Sequence, residues 1–294
     1  MDVLQRATAT ARGRRARVIL PEMEDPRIAA AAARLREMGL AEPLTLDAAR
    51  PAEAYVDLLL ANRPGLKPAL AKRMLDKPLI RAAAMVAAGE ADAMVAGAAN
   101  ATRRVIEAAA LAIGMAEGVS TPSSFFLMVM PARGGIGGAP ARTLVFADCA
   151  VNTAPDAGQL ADIARASAAS ATKLLGQAQV AFLSFSTGSS GQGPSVDTVR
   201  TAAEATGFAG PVQADAALNA AIAAKKGYGG GVANTLIFPS LDAGNIAYKL
   251  MQELGGAQAI GPFLQGFQSP VCDLSRGASV EDIVAATVVT LAMA

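Results

Sequence analysis

Short apolar runs alternate along the chain with longer stretches in which small and apolar residues recur at helical spacing. The apolar runs predict strands at residues 17–21, 43–46, 91–96, 123–130, 143–147, 180–185 and 235–238. The longer stretches predict helices at residues 26–38, 157–175, 196–206 and 243–254, and a last helix from residue 280. Strands that alternate with helices of ~10–15 residues are typical of crossover units. The pattern therefore predicts an α/β fold with a mostly parallel sheet.

Boundaries between lobes are weakly marked, because the sequence has no fixed-period repeat and no low-complexity linker. A glycine-rich turn at residues 134–138 is predicted to join two strands. The turn at residues 118–122 is one candidate crossing between lobes, and residues 261–266 are the other. Two lobes would leave a cleft between them, which is a usual place for a small-molecule site.

Composition favours a cytoplasmic α/β enzyme over several other classes. Of 294 residues, 52% are hydrophobic and 17% are charged, so a sizeable core can form. The net charge of +1 gives no electrostatic reason to expect a nucleic acid partner. No run reaches the ~18 apolar residues of a membrane span, and the arginines at positions 12–17 are interpreted as a solvated helix end rather than a targeting segment. Two cysteines cannot build a disulfide framework, which indicates a reducing compartment.

The chain contains no histidine. This absence excludes Ser-His-Asp and Cys-His catalysis, histidine general bases and histidine metal sites. Any chemistry must therefore use Ser, Asp, Glu, Lys, Arg, backbone dipoles or a bound cofactor.

The polar loops that follow predicted strands carry the candidate chemistry, because α/β proteins place ligands at these ends. In the first loop, the acids of residues 22–25 suit the positive N-terminal end of a helix. In the second, the small-residue turn at residues 97–100 offers backbone N–H groups to an anion, and Arg103 and Arg104 add positive charge. The two arginines are equally well interpreted as ordinary surface residues.

Two further loops contain candidate ligands in the middle of the chain. Asp148 and Asn152 follow a strand, although turn formation alone would explain both. Cys149 lies between apolar neighbours and is interpreted as a packed thiol rather than a nucleophile. The hydroxyls and glycines of residues 184–194 follow another strand and can cradle a phosphate through backbone amides, but they lack the Gly-Lys-Ser/Thr ending of a P-loop.

The fifth loop, residues 273–282, combines a hydroxyl, a permanent cation and acids. Ser275 beside Arg276 suits a thiol or an acyl oxygen. Asp282 has two interpretations, because Ser279 and Asp282 also have the spacing of a capping box, in which Asp282 accepts a backbone N–H at a helix start.

In chain order, these segments resemble the phosphate acetyltransferase and phosphate butyryltransferase family. The resemblance is carried by residues 20–27, 147–152, 183–187, 238–246, 261–266 and 273–277. The sequence Asp-Leu-Ser-Arg-Gly at residues 273–277 is the most specific of them. The similarity spans nearly the whole chain and is weakest near residues 40–80.

The resemblance implies a two-lobed α/β fold like that of isocitrate and isopropylmalate dehydrogenases, with mostly parallel sheets and an interlobe cleft. Residues 1–121 with 264–294 would form the first lobe, and residues 122–263 would form a second lobe inserted in it. It also implies a homodimer that needs no metal and no tightly bound cofactor. The substrates would be coenzyme A, an acyl phosphate and inorganic phosphate.

The resemblance also implies roles for individual residues. Ser275 would contact the reacting sulfur, and Asp282 would deprotonate the thiol of coenzyme A. Arg276 would stabilise negative charge on the acyl oxygen in the transition state. The residues predicted to bind substrate are Arg63, Asn100, Arg103, Arg104, Asp148, Asn152, Ser184, Ser186, Thr187 and Asn245.

Two positions depart from the family pattern. Glu107 replaces an arginine on the helix after the residue 97 turn, and Gly188 replaces a lysine. A carboxylate beside a leaving phosphate would be repulsive, so we expect Glu107 to point away or to pair with Arg103 or Arg104, which lie four and three residues earlier on the same helix.

Alternatives from other classes remain open at the level of sequence. The departures are compatible with a relative that prefers a longer acyl chain such as butyryl, or with a non-catalytic acyl-CoA sensor, since domains of this family occur as regulatory appendages of malic enzymes. A nicotinamide-dependent dehydrogenase of the same fold is the remaining alternative, but its metal-binding aspartate set is not recognisable.

Overall fold

The computed structural model describes residues 3–132 and 141–294. The strands among them are β1 (Arg17–Ile19), β2 (Glu42–Leu44), β3 (Ala93–Ala96), β4 (Ser123–Met130), β5 (Arg142–Ala147), β6 (Val180–Leu183), β7 (Ala209–Val212), β8 (Thr235–Ile237), β9 (Gln258–Gln265) and β10 (Val271–Asp273). The helices are α1 (Val3–Arg14), α2 (Pro26–Glu37), α3 (Val56–Asn62), α4 (Pro68–Met74), α5 (Pro78–Ala87), α6 (Thr102–Ala108), α7 (Ala157–Leu175), α8 (Pro194–Thr206), α9 (Ala214–Leu218), α10 (Ala220–Lys225), α11 (Leu241–Glu253) and α12 (Val280–Met293).

The chain divides into two compact units. The first comprises Met1–Val119 with Gly261–Ala294, and the second comprises Ser120–Ile260. The predicted glycine-rich turn at residues 134–138 lies outside the described residues. None of the described helices is both long enough and apolar enough to cross a bilayer.

In the first unit the strand order is β2-β1-β3-β10-β9. Strands β2, β1, β3 and β10 are parallel, and β9 pairs antiparallel with β10. Strand β3 is buried at all four positions, as expected of a central parallel strand covered on both faces. Helix α12 packs against α1 and α2, and it buries residues around most of its circumference. The C-terminal helix is therefore part of the core of this unit.

In the second unit the strand order is β4-β5-β8-β6-β7. Strands β5, β8, β6 and β7 are parallel, whereas β4 pairs antiparallel with β5. The core of this unit gathers aromatic and aliphatic side chains from the sheet, including Phe126, Phe146 and Phe238. The Phe146 and Phe238 rings lie 5.1 Å apart in a tilted pair, a geometry favoured by aromatic quadrupoles.

The predicted α/β class and mostly parallel sheet are confirmed. Each predicted helix has a counterpart, and local chemistry explains where two of them begin. Asp25 caps α2 by accepting the N–H of Arg27, with Pro26 at the first helical position. Asp156 and Gln159 form a reciprocal capping box on α7.

The sequence did not predict the helices between residues 56 and 87, strand β7, the short helices α9 and α10, or the two strands β9 and β10 near the C-terminus. Strand β10 spans three residues, too few to show a period. Strand β9 contains Gly261 and Pro262, a pair that is more typical of a turn between lobes than of a strand. Both strands are stabilised by pairing with neighbouring strands of the sheet. The sequence pattern within a strand does not indicate this pairing.

Candidate active site

Three polar loops of the first unit follow parallel neighbouring strands at their carboxyl ends. They follow β1, β3 and β10, and the register sets Asp273 beside Ala96. The backbone N–H of Leu274 donates to the Ala96 carbonyl at 2.6 Å, which extends the pairing into the loop. Because the carboxyl ends of parallel strands meet at one edge of a sheet, segments distant in sequence converge here.

The turn at residues 97–100 already binds an anion from the protein itself. The carboxylate of Glu22 accepts the backbone N–H groups of Gly97, Ala98 and Ala99 at 2.8–3.1 Å, and the Asn100 side-chain amide at 2.7 Å. The expectation that these N–H groups face an external anion is wrong. Glu22, assigned from sequence to a helix start, instead orders this turn and orients Asn100.

Asp273 is a buried acid with one unpartnered oxygen. Its side chain is 1% exposed. Thr102 Oγ1 donates to Oδ2 at 2.5 Å, whereas Oδ1 has no partner among the described residues. A Cβ on Gly97, where φ is +109°, would lie 2.3 Å from Oδ1, so only glycine allows this approach. Burial raises the pKa of Asp273 to about 7, and the negative charge of Glu22 adds to the rise, while the Thr102 hydrogen bond opposes it.

We expect Asp273→Asn to remove a pH dependence of stability. The pKa of Asp273 in the folded state lies above its unfolded value. The contribution of the Asp273 carboxyl to the free energy of unfolding is therefore fully present below about pH 4 and is lost as pH rises through about 7. The loss amounts to at most about 4 kcal/mol, since one pKa unit corresponds to about 1.4 kcal/mol.

The measurement is the free energy of unfolding of both proteins between pH 4.5 and pH 8. The variant should gain stability relative to the wild type as pH rises. Glu281→Gln, at an exposed acid on α12, is the control. A difference between Asp273→Asn and wild type that stays constant over this range would show that Asp273 does not titrate there.

Ser275 and Arg276 lie on the exposed segment between β10 and α12. The N–H of Ala278 donates to the Ser275 carbonyl at 2.9 Å, and the N–H of Gly277 donates to Ser275 Oγ at 3.3 Å. The guanidinium of Arg276 makes no hydrogen bond or ion pair with any residue that the structure describes. A fixed backbone with an uncommitted cation at its surface suits the binding of an anionic group.

Asp282 forms the capping box expected from its spacing. Its Oδ2 accepts the Ser279 N–H at 3.0 Å and the Ser279 hydroxyl at 2.8 Å, and Ser279 Oγ accepts the Asp282 N–H at 3.1 Å. The side chain is half-buried, and Oδ1 accepts no hydrogen bond from the described residues. The capping interpretation is confirmed, and one oxygen remains for a second role.

The two arginines of helix α6 have different surroundings. Arg103 Nε donates to Glu107 Oε1 at 2.8 Å, an exposed pair four residues apart. Arg104 instead lines a cavity of ≈ 470 Å³ together with Lys77, Asn100 and Glu107. The expectation that Glu107 pairs with one arginine is confirmed. Lys77, at the start of α5, is a second cation that lines this cavity, and no sequence pattern indicated it.

Arg63 lies at the C-terminal end of α3, where it is exposed. It does not line the cavity beside Arg104, and its predicted contact with substrate stays a prediction.

In the second unit, Asp148 organises the loop after β5. Its buried carboxylate accepts the hydroxyl and N–H of Ser124, and it also accepts the N–H groups of Ala150, Val151 and Asn152. The Asn152 amide donates to Asp148 Oδ2 at 2.6 Å and to the Pro122 carbonyl at 2.9 Å. Both side chains are thus committed to the loop, and their contact with substrate stays a prediction.

Asn245 and Cys149 meet beside the same loop. Asn245 Nδ2 donates to the Cys149 carbonyl at 3.2 Å. The Cys149 side chain is fully buried, and burial raises the pKa of its thiol well above the ordinary value, with the charge of Asp148 adding to the rise. A thiol with these properties is a packing group and not a nucleophile.

The hydroxyl loop after β6 is bonded mainly to itself. Ser184 Oγ accepts the Ser186 N–H at 3.1 Å, and buried Ser186 Oγ accepts the Gly191 N–H at 2.8 Å. Thr187 Oγ1 accepts the Gln213 N–H at 3.1 Å. Strands β5, β8 and β6 are parallel, so this loop and the Asp148 loop lie at the same sheet edge. Gly188 adopts φ +59° with no atom near its missing side chain.

Comparison with known proteins identifies the sequence family. The family described as phosphate acetyl/butaryl transferase matches residues 47–291. A phosphate acetyltransferase of Treponema pallidum is 46% identical over 243 residues, with 77% of this chain and 71% of that protein covered. One of Paracoccus denitrificans is 38% identical over 323 residues, with 99% and 98% covered. Other relatives are longer, and the chain spans 42–45% of three of them.

Solved structures agree with the sequence comparison. A phosphotransacetylase from Streptococcus pyogenes superimposes with a TM-score of 0.87 at 34% identity, over 99% of this chain and 97% of that one. The family resemblance predicted from the sequence is therefore confirmed. The chain belongs to the phosphate acetyl/butyryl transferase family.

Proposed function

We propose that this protein catalyses the reversible transfer of a short acyl group between coenzyme A and inorganic phosphate, with acetyl as the preferred group. Its relatives in Treponema pallidum and Paracoccus denitrificans bear the name phosphate acetyltransferase. The observation that carries the proposal is the loop of residues 273–277, which presents exposed Ser275 and an uncommitted Arg276 beside a buried acid. No tightly bound cofactor enters the proposal, and coenzyme A acts as a substrate.

The residues of the first unit supply a direct transfer mechanism. Asp282 Oδ1 takes the proton from the thiol of coenzyme A, and Ser275 holds the sulfur. The sulfur then forms a bond to the carbonyl carbon of the acyl phosphate, and Arg276 stabilises the negative oxygen that develops. The carbon–oxygen bond to phosphate breaks, and phosphate leaves with the electron pair. Holding both substrates together supplies much of the acceleration.

A turnover assay tests the proposed function. Acetyl, propionyl and butyryl phosphate are each supplied with coenzyme A, and thioester formation is followed. Turnover with a preference for acetyl phosphate is expected. A preference for butyryl phosphate would reassign the acyl group, and binding of acyl-CoA without any turnover would support the sensor alternative and refute the proposed activity.

We infer that inorganic phosphate and the phosphate of the acyl donor bind at the cavity lined by Lys77 and Arg104. Two cations that line the same cavity favour the binding of an anion. Glu107 also lines this cavity, but its carboxylate accepts from Arg103, which lowers its repulsion of phosphate. The side chains of Lys77 and Arg104 thereby supply the positive charge that the family places at position 107.

Arg104→Ala is expected to raise the KM for phosphate about tenfold or more, since a hydrogen bond to a charged group contributes about 1.5–3 kcal/mol. Arg103→Ala is the matched control on the same helix, and it should change this KM less than about threefold, because an exposed ion pair contributes little. Glu107→Gln should be tolerated. Equal and normal phosphate binding by both arginine variants would place the phosphate site elsewhere.

We also infer that the protein is a homodimer. Ile246, Leu250 and Leu254 recur at four-residue spacing along α11 and its C-cap, and all three are more than half exposed. Such a stripe favours burial against a partner. Sedimentation should give twice the chain mass for the wild type and less for Leu250→Lys. A wild-type monomer would refute the dimer, and a dimeric variant would place the interface on another surface.

A further inference from the structure

Arg27 joins three segments of the first unit that are distant in sequence. Its Nη1 donates to the carbonyl oxygens of Arg276 at 2.7 Å and Ala278 at 3.0 Å. Its Nη2 donates to the Ala98 carbonyl at 3.3 Å. The guanidinium therefore connects the start of α2 to the turn after β3 and to the segment that follows β10.

Asp25 fixes the orientation of this guanidinium. Its carboxylate accepts Arg27 Nε at 3.1 Å and Nη2 at 2.7 Å. An arginine has five N–H donors in a rigid planar fork, and the five contacts to Asp25, Ala98, Arg276 and Ala278 use all of them. Asp25 also caps α2, so the fork is attached to a helix end that is itself ordered.

The segment held by Arg27 has few other anchors. At one end, the N–H of Leu274 donates a hydrogen bond to the Ala96 carbonyl. At the other end, Ser279 belongs to the capping box of α12. Between them Ser275, Arg276 and Gly277 are exposed. The two carbonyls bonded to Arg27 flank Gly277, the residue with the greatest backbone freedom in this segment. Arg27 thus adds a restraint on either side of the exposed Gly277.

The charge of Arg27 is paired with the carboxylate of Asp25 at 2.7 Å, and this pairing weakens its attraction for an anionic substrate. The side chain of Arg276, by contrast, has no partner among the described residues. The arrangement separates two functions: one arginine fixes the peptide backbone, and the other is left to meet the anion.

We propose that Arg27 is a positioning residue for acyl transfer, which sets the backbone of residues 275–278 so that Arg276 faces the reacting carbonyl. This inference rests on the proposed function. A displacement of about 1 Å in a catalytic group can cost about 10²-fold in rate, so Arg27→Ala should lower kcat by roughly 10–100-fold with little change in the KM for coenzyme A. Arg27→Lys keeps the charge but not the fork, and it should lose an intermediate amount.

Arg34→Ala is the matched control. Arg34 lies on the same helix and also reaches α12, through an exposed ion pair with Glu281 at 2.6 Å, but its side chain makes no hydrogen bond to residues 275–278. It should keep wild-type turnover. Melting temperatures and circular dichroism of all variants show which of them fold. If Arg27→Ala does not fold, the comparison is made with Arg27→Lys.

A double-mutant cycle distinguishes positioning from a general loss of structure. If Arg27 acts through Arg276, then Arg27→Ala combined with Arg276→Ala should turn over no more than about threefold slower than Arg276→Ala alone. Losses that simply multiply would overturn the inference, as would normal kcat in both Arg27 variants. The absence of turnover in the wild type would refute the proposed function instead, so the two failures are distinguishable.

Discussion

Replacing Arg276 with alanine is expected to lower kcat by roughly 10²–10³-fold, the usual effect of removing a donor to a developing oxyanion. The structure gives a reason for the effect to be chemical. The guanidinium makes no hydrogen bond or ion pair with the described residues, whereas the part of Arg276 that Arg27 holds is its backbone carbonyl, which alanine retains. The loop should therefore keep its shape when the cation is removed.

Steady-state kinetics with acetyl phosphate and coenzyme A, together with melting temperatures, measure this effect. The melting temperature of Arg276→Ala should stay close to that of the wild type. Arg34→Ala, which removes an exposed arginine elsewhere in the same unit, should be unaffected in turnover. Retention of wild-type kcat by Arg276→Ala would remove the oxyanion role from this residue.

Asp282→Asn is expected to lower turnover by on the order of 10²-fold or more, because a neutral amide cannot accept the thiol proton. Its effect on stability should be modest. The amide oxygen of asparagine can still accept the bonds that Oδ2 now receives from Ser279. Removing a negative charge from the first turn of α12 costs about 0.3–1 kcal/mol in interaction with the helix dipole.

Ser279→Ala is the complementary variant, since it breaks the cap and leaves the carboxylate. It should lower the free energy of unfolding by about 0.5–2 kcal/mol while retaining most of the turnover. The pair of variants separates the two roles of Asp282. Normal turnover in Asp282→Asn, accompanied only by a lower melting temperature, would leave Asp282 as a helix cap and require another base.

The predicted site was most accurate where the interactions are local in sequence. The capping box of Ser279 and Asp282 and the pair of Arg103 with Glu107 both form at three- and four-residue spacing on a helix. The burial of Cys149 followed from its apolar neighbours. In each case, the partners lie within a helical turn or beside one another in the chain, so their spacing alone indicates the contact.

The turn at residues 97–100 depends on a contact between distant segments, which local spacing does not predict. Its small residues and the helix that follows correctly indicated a backbone that binds an anion. The anion is Glu22, which lies 75 positions from Gly97. The sheet brings β1 and β3 side by side, and this pairing decides that a protein carboxylate occupies the amides.

The sequence by itself determined the α/β class, the family and the types of side chain available for chemistry, because hydrophobic period, motif order and the absence of histidine are all properties of the linear chain. Only the tertiary structure decided which hydrogen-bond donors and acceptors already have a partner within the protein. Arg27 and Arg276 are 249 positions apart, yet the order of parallel strands sets one against the backbone of the other. Hydrogen bonds between distant segments depend on strand order and register, and burial then determines which charges, such as that of Asp273, are costly to maintain.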